Sequence, residues 1–533
     1  DLSHEKKMSL KMGHLVPIYM EDNIPGDSFR VSSEVFIRFA PLLAPILHRV
    51  DVFTHYFFVP YRLLMPSVGL TYADWEGFIT GDPDSEFTNV EIPTITMDST
   101  NQGLGCFNKG SLADYFGLPV VEDTDAAITQ DIEISALPFM AYHLIYDHYY
   151  RDQQLINKRC GISSSYAIPL IGGTRDNEAQ DVCPNAPLVR AWEKDLLTAG
   201  LTTAYAGALS DVELDLDIAG LGFSTGANIK LQTTGGTPAA GGIVMSSSDL
   251  KDSAADNLYF KSGNELPAAA TLELYELRRA QALLRSLEAE KRGGRRYQEF
   301  LLAKFGVIGE GYKTAYPQYL GGGKQAVNIS STQSTTQALD PTAGVNDGAG
   351  GVPVTIDPQS NLSGNALSIG KTNKFTKRYS EHGITIGILS VIPRTSYSSQ
   401  GIEKYWTKTD RHDFFDPYLQ RIGDQELTQK EVYYDPTGTD ADDVFSYVPR
   451  WSEYKQRLSK LSGDFRDDFD YWHMARKFTS APSFNQAFIE CRPTNDENNR
   501  IFAVEDTAVD KLYAQVYNNV QAIRPMYLHD IAE

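Results

Sequence analysis

A glycine run ending in lysine is a natural first place to look for chemistry, because the backbone N–H groups of such a loop cradle phosphate. Tyr319-Leu-Gly-Gly-Gly-Lys324-Gln325 has that outline but lacks the working parts. Gln318 stands where the first loop glycine belongs, and Gln325 stands where Ser or Thr would hold magnesium. Gly220-Leu-Gly222 opens like a dinucleotide loop, yet Thr225 occupies the position that close helix–strand packing reserves for Gly or Ala. Both read as turns. His143 and His148 are five residues apart and do not share a helix face as paired zinc ligands do, so packed histidines are the simpler reading. Asp435-Pro-Thr-Gly-Thr-Asp440-Ala-Asp442-Asp443 offers hard oxygen ligands for calcium without EF-hand spacing, and reads as a solvated acidic turn. No catalytic, cofactor or metal site is assigned.

The basic residues are more informative. Lys and Arg total 48 against 69 Asp and Glu, a formal net charge of −21, so the chain as a whole repels nucleic acid. Any contact with a polyanion must come from a local patch or a basic partner. The densest cluster is Arg278, Arg279, Arg285, Lys291, Arg292, Arg295 and Arg296. It reads as a solvated or inter-subunit helix face, with phosphate contact as the rival because guanidinium forks suit phosphate. A second candidate is Arg450-Trp451 with Tyr454-Lys455-Gln-Arg457, where cations interleave with aromatics as single-strand binding favours. Cys106, Cys160, Cys183 and Cys491 form no C-x-x-C pair and read as buried thiols of a protein made in a reducing cytosol. No stretch approaches a membrane span, and residues 1–7 carry no signal-peptide core, so export by that route is not expected.

These residues need elements to hold them. Asp51–Val59 is β-branched and aromatic and ends at Pro60, which predicts a strand. Val35, Ile37 and Phe39 alternate with Phe36 and Arg38, which predicts a strand with both faces buried, and Ile384, Ile386 and Ile388, then Leu512, Ala514, Val516 and Val520, carry the two-residue period of strands. Short helices are predicted at residues 73–78 and 111–116, the latter stopped by Gly117 and Pro119, and a long one over Leu137–Leu155. Thr271–Arg292 has a clear apolar stripe and a Thr271 N-cap. Residues 200–268 are rich in Gly, Ala, Ser and Thr, and residues 321–373, without any aromatic, are predicted to be a long irregular loop. Strands at both ends with helices and long loops between them suit an antiparallel sandwich with insertions.

An ordered series of motifs resembles the major capsid proteins of the microvirus family, especially the gokushovirus-like phages. It runs from Leu15-Val-Pro-Ile-Tyr19 and Phe58-Val-Pro-Tyr-Arg62 through Gly110–Pro119 and Leu137-Pro-Phe-Met-Ala-Tyr142 to Tyr150-Arg-Asp-Gln-Gln-Leu155. Arg292-Gly-Gly-Arg-Arg-Tyr297, Phe305-Gly-Val307, Tyr319–Gly323, Glu381-His-Gly383, Tyr405-Trp406, Gly423-Asp-Gln-Glu426 and Arg524-Pro525 follow in the family's order. The resemblance implies a mainly β fold, an eight-stranded antiparallel jelly roll with long inter-strand insertions and a few helices. It implies sixty copies in the simplest icosahedral shell (T=1), enclosing a circular single-stranded DNA genome, and therefore a structural protein and not an enzyme. Implied partners are an internal scaffolding protein, a DNA pilot protein, a small basic DNA-binding protein and a host cell-surface receptor. Residues 200–268, which match the family poorly, are expected to form a threefold surface protrusion that touches the host. A secreted carbohydrate-binding β-sandwich and an elongated fibre protein are the rivals; neither accounts for the ordered motifs.

Overall fold

The computed structural model describes residues 1–64, 92–157, 161–162, 166–167, 183–203, 284–285, 316–333, 362–379, 381–398, 400–421, 423–438, 441–504 and 506–524. The chain divides into two units, one of residues 1–204 with 307–533 and one of residues 205–306; within the second only residues 284–285 are described.

Two strand patterns build the first unit. Leu512–Ile523 alternates buried and more exposed residues in one sheet, whereas Val50–Pro60 and Gly383–Pro393 are buried on both faces in the other. In chain order they are β1 (His4–Leu10), β2 (Val16–Asn23), β3 (Ser28–Phe39), β4 (Val50–Pro60), β5 (Thr94–Met97), β6 (Ile132–Ser135), β7 (Gly161–Ile162), β8 (Tyr166–Ala167), β9 (Gln318–Ala326), β10 (Asn328–Gln333), β11 (Leu362–Lys371), β12 (Phe375–Arg378), β13 (Gly383–Pro393), β14 (Asp424–Thr428), β15 (Val444–Pro449) and β16 (Leu512–Ile523). The larger sheet runs β1-β16-β3-β11-β10, with β12 also on β3; the smaller runs β2-β13-β4-β9, and all these ladders are antiparallel. Val35 and Ile37 of β3, Val516 and Val520 of β16, Val52 and Tyr56 of β4 and Leu389 and Val391 of β13 meet in one apolar core between the sheets. Gly387 on β13 permits that approach, since a Cβ there would lie 2.7 Å from the Tyr56 ring.

The outer faces differ. The alternate residues of β4 and β13 (Phe57, Val59, Ile384, Ile386 and Ile388) sink into a second core with Leu112, Phe139, Met140 and Tyr142. Helices Leu112–Phe116 and Leu137–Ile145 therefore cover the smaller sheet. Ser111 caps the first by accepting from Asp114 N, and Gly117 at φ 93° ends it. The larger sheet keeps an exposed face, as the burial pattern of β16 records.

The mainly β antiparallel sandwich expected from the sequence is found, with departures. Among the described residues the two main sheets hold six and four strands. Residues 321–373 are not one irregular loop: β9, β10 and β11 run through them. In the described part of this stretch small residues sit where β11 packs closely. Ala366 is fully buried, Ile329 pairs with it, and a Cβ on Gly364 would lie 2.3 Å from Ala44 O. The helix predicted to reach Leu155 stops sooner. After Ile145 it passes into a π turn, Tyr146–Tyr150, and Arg151 is extended. The Asp152 carboxylate then accepts from the N–H groups of Gln154 and Leu155, a local turn that competes with helix. The predicted helices at 73–78 and 271–292, apart from Leu284 and Arg285, lie outside the described residues, as do residues 204–268 and 334–361.

Candidate interaction surface

Between β13 and the β14–β15 pair the chain makes three short 3₁₀ turns, Lys404–Trp406, Arg411–Asp413 and Pro417–Arg421. Aspartates fix them. Asp410 accepts from Arg411 N at 2.7 Å, Asp413 from Asp410 N at 2.8 Å and Thr409 N at 3.0 Å, and Asp416 from Tyr418 N at 2.9 Å. These side chains replace the hydrogen bonds that a longer element would supply, so the turns hold without burying their rings. Trp406 is 72% exposed and Tyr418 92% exposed, with Tyr405, Phe414 and Phe415 also exposed. Large apolar surface gathered on one stretch of chain marks a place for another molecule.

The sequence candidate at 450–457 supports this surface from beneath and beside it. Trp451 is buried, in the left-handed conformation at φ 63°, and its N–H donates to Gln425 Oε1 at 3.0 Å. Phe415 meets its ring edge-on at 5.6 Å and Tyr454 at 6.0 Å. Arg450 lies over the same ring at 5.3 Å and Lys408 at 5.5 Å. The Trp451 faces are thus occupied by internal partners, and stacking on a nucleobase is not open to this ring. Lys455 donates to Arg450 O, while Arg457 lies over Tyr405 at 5.6 Å; both are exposed.

Lys408 is the electrostatic centre. Its Nζ lies 3.0 Å from Glu453 Oε1, donates to Tyr454 Oη at 3.0 Å and sits 4.1 Å from the Tyr454 ring. Burial works against the Lys408 charge, but the hydrogen bonds it donates to Tyr454 and Glu453 outweigh it and raise its pKa. Burial likewise opposes the Glu453 carboxylate, and Gln425 with Lys408 overcomes it and lowers the pKa. Both groups remain charged at neutral pH, and the pair anchors the turns to the helix Ser452–Lys455.

Of the basic cluster at 278–296, only Arg285 is described, as an exposed helical residue; Arg278, Arg279, Lys291, Arg292, Arg295 and Arg296 lie outside the described residues. The sequence reading missed Phe414, Phe415 and Tyr418; their signal was the aspartate–aromatic alternation of residues 410–418. Gly222-Phe-Ser224-Thr-Gly226 has the spacing of a nucleophile elbow; it lies outside the described residues and receives no role. Cys106, Cys183 and Cys491 are buried, as expected, and Cys160 lies outside the described residues.

A second concave feature, of about 430 Å³, is lined by His55, Phe57, Tyr149, Tyr150, Arg190 and Tyr319 among others. Several of its polar groups are paired: His55 Nδ1 meets Tyr150 Oη at 2.7 Å, Arg190 donates to Ser390, and Lys324 joins Asp51 to Glu193, while the buried Trp192 Nε1 has no hydrogen-bond partner among the described residues. Burial, then the charge of Arg190, lowers the His55 pKa to about 4.

Comparison with known proteins gives a single answer. Residues 1–532 match the family described as capsid protein (F protein). Capsid protein VP1 of Bdellovibrio phage phiMH2K is 31% identical over 547 residues, covering 98% of this chain and 93% of that protein. Capsid protein VP1 of Chlamydia phage 1 is 28% identical, covering all of this chain and 94% of its own length. Capsid protein VP1 of Spiroplasma virus 4 is 23% identical with 99% and 93% covered.

Proposed function

The chain belongs to the capsid protein (F protein) family, and we propose that its copies close a T=1 icosahedral shell around a circular single-stranded DNA genome. As a capsid protein it is a structural component of the virion, and assembly of many copies is its work. The observation that carries the finer reading is the set of exposed rings at 405–418 on turns held by aspartates. Preformed turns lose little freedom on docking, so burying their apolar area against a neighbour yields net attraction. Sixty copies related by icosahedral symmetry make heterologous contacts that close on themselves.

The net charge of −21 supports the partner assignment. A shell this acidic gains little from direct contact with DNA, so a small basic DNA-binding protein would supply the neutralising charge. Internal scaffolding and DNA pilot proteins, assembly in the bacterial host cytoplasm, and the absence of catalytic activity belong to the same proposal. Residues 200–268 form the proposed threefold protrusion that meets the host receptor; the separation of residues 205–306 as their own unit supports an inserted element there. The exposed cations Arg285, Lys455 and Arg457 are proposed as contacts to DNA or to neighbouring subunits.

Electron microscopy of the purified protein, expressed with and without the neighbouring phage genes, tests this. Closed particles of uniform size support it. A monodisperse monomer under every condition overturns it and directs attention to sugar binding by a free sandwich.

A further inference from the structure

The open face of the larger sheet has the anatomy of a docking site. Every second residue of β16 points away from the core, which places Tyr513 and Tyr517 outside. The register lays Arg38 between Tyr513 and Leu367, and Phe36 between Gln515 and Ile369. Ile369 is 68% exposed at the middle of this face. Five strands about 4.8 Å apart, the longest near 40 Å, offer on the order of 800 Å², about the share one partner contributes to a standard protein interface.

Charge selects the occupant. The face carries exposed Lys7, Arg30, Arg38 and Lys371, and its far end adds Arg378 and Lys374, the last within reach of the charges of Arg30 and Lys371. Only Glu5 and Glu34 oppose them among the exposed residues of β1 and β3, and Glu34 is paired with Lys371 at 2.7 Å. A cationic face on a chain of net charge −21 fits an acidic surface. The apolar centre decides between a protein and a nucleic acid. Tyr513 and Tyr517 could each stack on a base, but the most exposed apolar residue of the face, Ile369 between half-buried Phe36 and Leu367, could not, and an apolar centre inside a charged rim is how protein interfaces are built.

Residues 410–418 supply the complementary pattern, with Phe414, Phe415 and Tyr418 exposed among Asp410, Asp413 and Asp416. We propose that the open face of the β1-β16-β3-β11-β10 sheet receives the aspartate–aromatic turns 410–418 of a second copy of this chain. The inference rests on the shell reading and names both halves of one of its contacts. The two patches are different surfaces of the same chain, so the contact is heterologous and repeats from copy to copy.

The test places the photo-crosslinking residue benzoylphenylalanine at Ile369, and in a second variant at Tyr513, in full-length chain co-expressed with the neighbouring phage genes. Particles made from mixed ¹⁴N and ¹⁵N subunits are irradiated, digested and read by mass spectrometry. The expected product joins position 369 or 513 to a peptide containing residues 410–418, with mixed isotope pairs showing that it links two copies. Crosslinks to nucleic acid, to another phage protein, to a different segment, or only within one copy overturn the proposal. If neither variant forms particles, the subunits they yield are mixed with wild-type subunits and irradiated, and the same products decide. Failure of the unsubstituted chain to form particles sinks the shell reading itself; particles with crosslinks elsewhere sink this contact alone.

Discussion

Replacing Trp406 by Ser removes the largest exposed ring among the described residues without touching a hydrogen bond that holds the fold. The indole is 72% exposed, and the backbone N–H of Trp406 donates to Glu403 O whatever the side chain. An aromatic side chain buries about 150–250 Å² when fully enclosed, so on the order of 150 Å² of this indole faces water in the isolated subunit. Burying half to all of that against a neighbour, at ~25 cal/mol per Å², is worth about 2–4 kcal/mol per contact. Each factor of ten in association corresponds to ~1.4 kcal/mol, so the critical concentration for shell formation should rise at least ~30-fold. The assay follows particle formation by light scattering across a dilution series, with thermal unfolding of the unassembled subunit as control. Wild-type critical concentration in the Trp406→Ser protein would refute the reasoning. So would a fall of several degrees in the subunit Tm, because the ring would then be holding the fold together.

Arg476 is buried against Phe488, 4.2 Å from its ring, donates to Phe488 O at 2.7 Å and lies 3.9 Å from Glu497, so Arg476→Ala should cost about 3–5 kcal/mol, read from the urea midpoint. Gly13 has φ +81°, and a Cβ there would lie 1.7 Å from Cys491 O; Gly13→Ala should lower the Tm by several degrees and leave Gly463→Ala, an open position with positive φ, as the milder control. Burial, then the charge of Lys11, lowers the His14 pKa to about 4. The unfolded chain therefore binds a proton between pH 6.5 and 4 that the folded chain refuses, and stability should fall across that window by up to about 3 kcal/mol as pH drops. Urea midpoints against pH measure it, and His14→Gln should flatten the slope. Glu453 behaves as a depressed carboxylate: its contribution is present above the ordinary glutamate range and lost as pH falls below it, so Glu453→Gln should lessen the loss of stability below about pH 4.5.

Strand periodicity was legible wherever one side faces a core. The two-residue alternation at β16 and the β-branched and aromatic run of β4 correspond to a half-exposed strand and a doubly covered one, whereas at β3 both faces were expected to be buried and Arg38 is exposed. The 321–373 segment was illegible because Gly364, Ala366 and Ile329 mark strand packing by smallness, and a small residue looks the same in a loop. The helix end near Tyr150 depends on an Asp152 side-chain turn that no periodicity reveals. At the candidate surface, interleaved cations and rings at 450–457 were visible, but the sequence could not say that Trp451 points inward while Phe414 and Tyr418 point outward. That choice is made by tertiary packing: Trp451 takes a left-handed backbone and is pinned between Phe415, Arg450 and Lys408.

An electron cryo-microscopy reconstruction of purified particles tests the shell reading most directly. The expected result is a closed T=1 shell in which Trp406 and Tyr418 are covered by a neighbouring copy. A closed shell with both rings in solvent would contradict the assignment of this surface, and the absence of any closed shell would contradict the function itself.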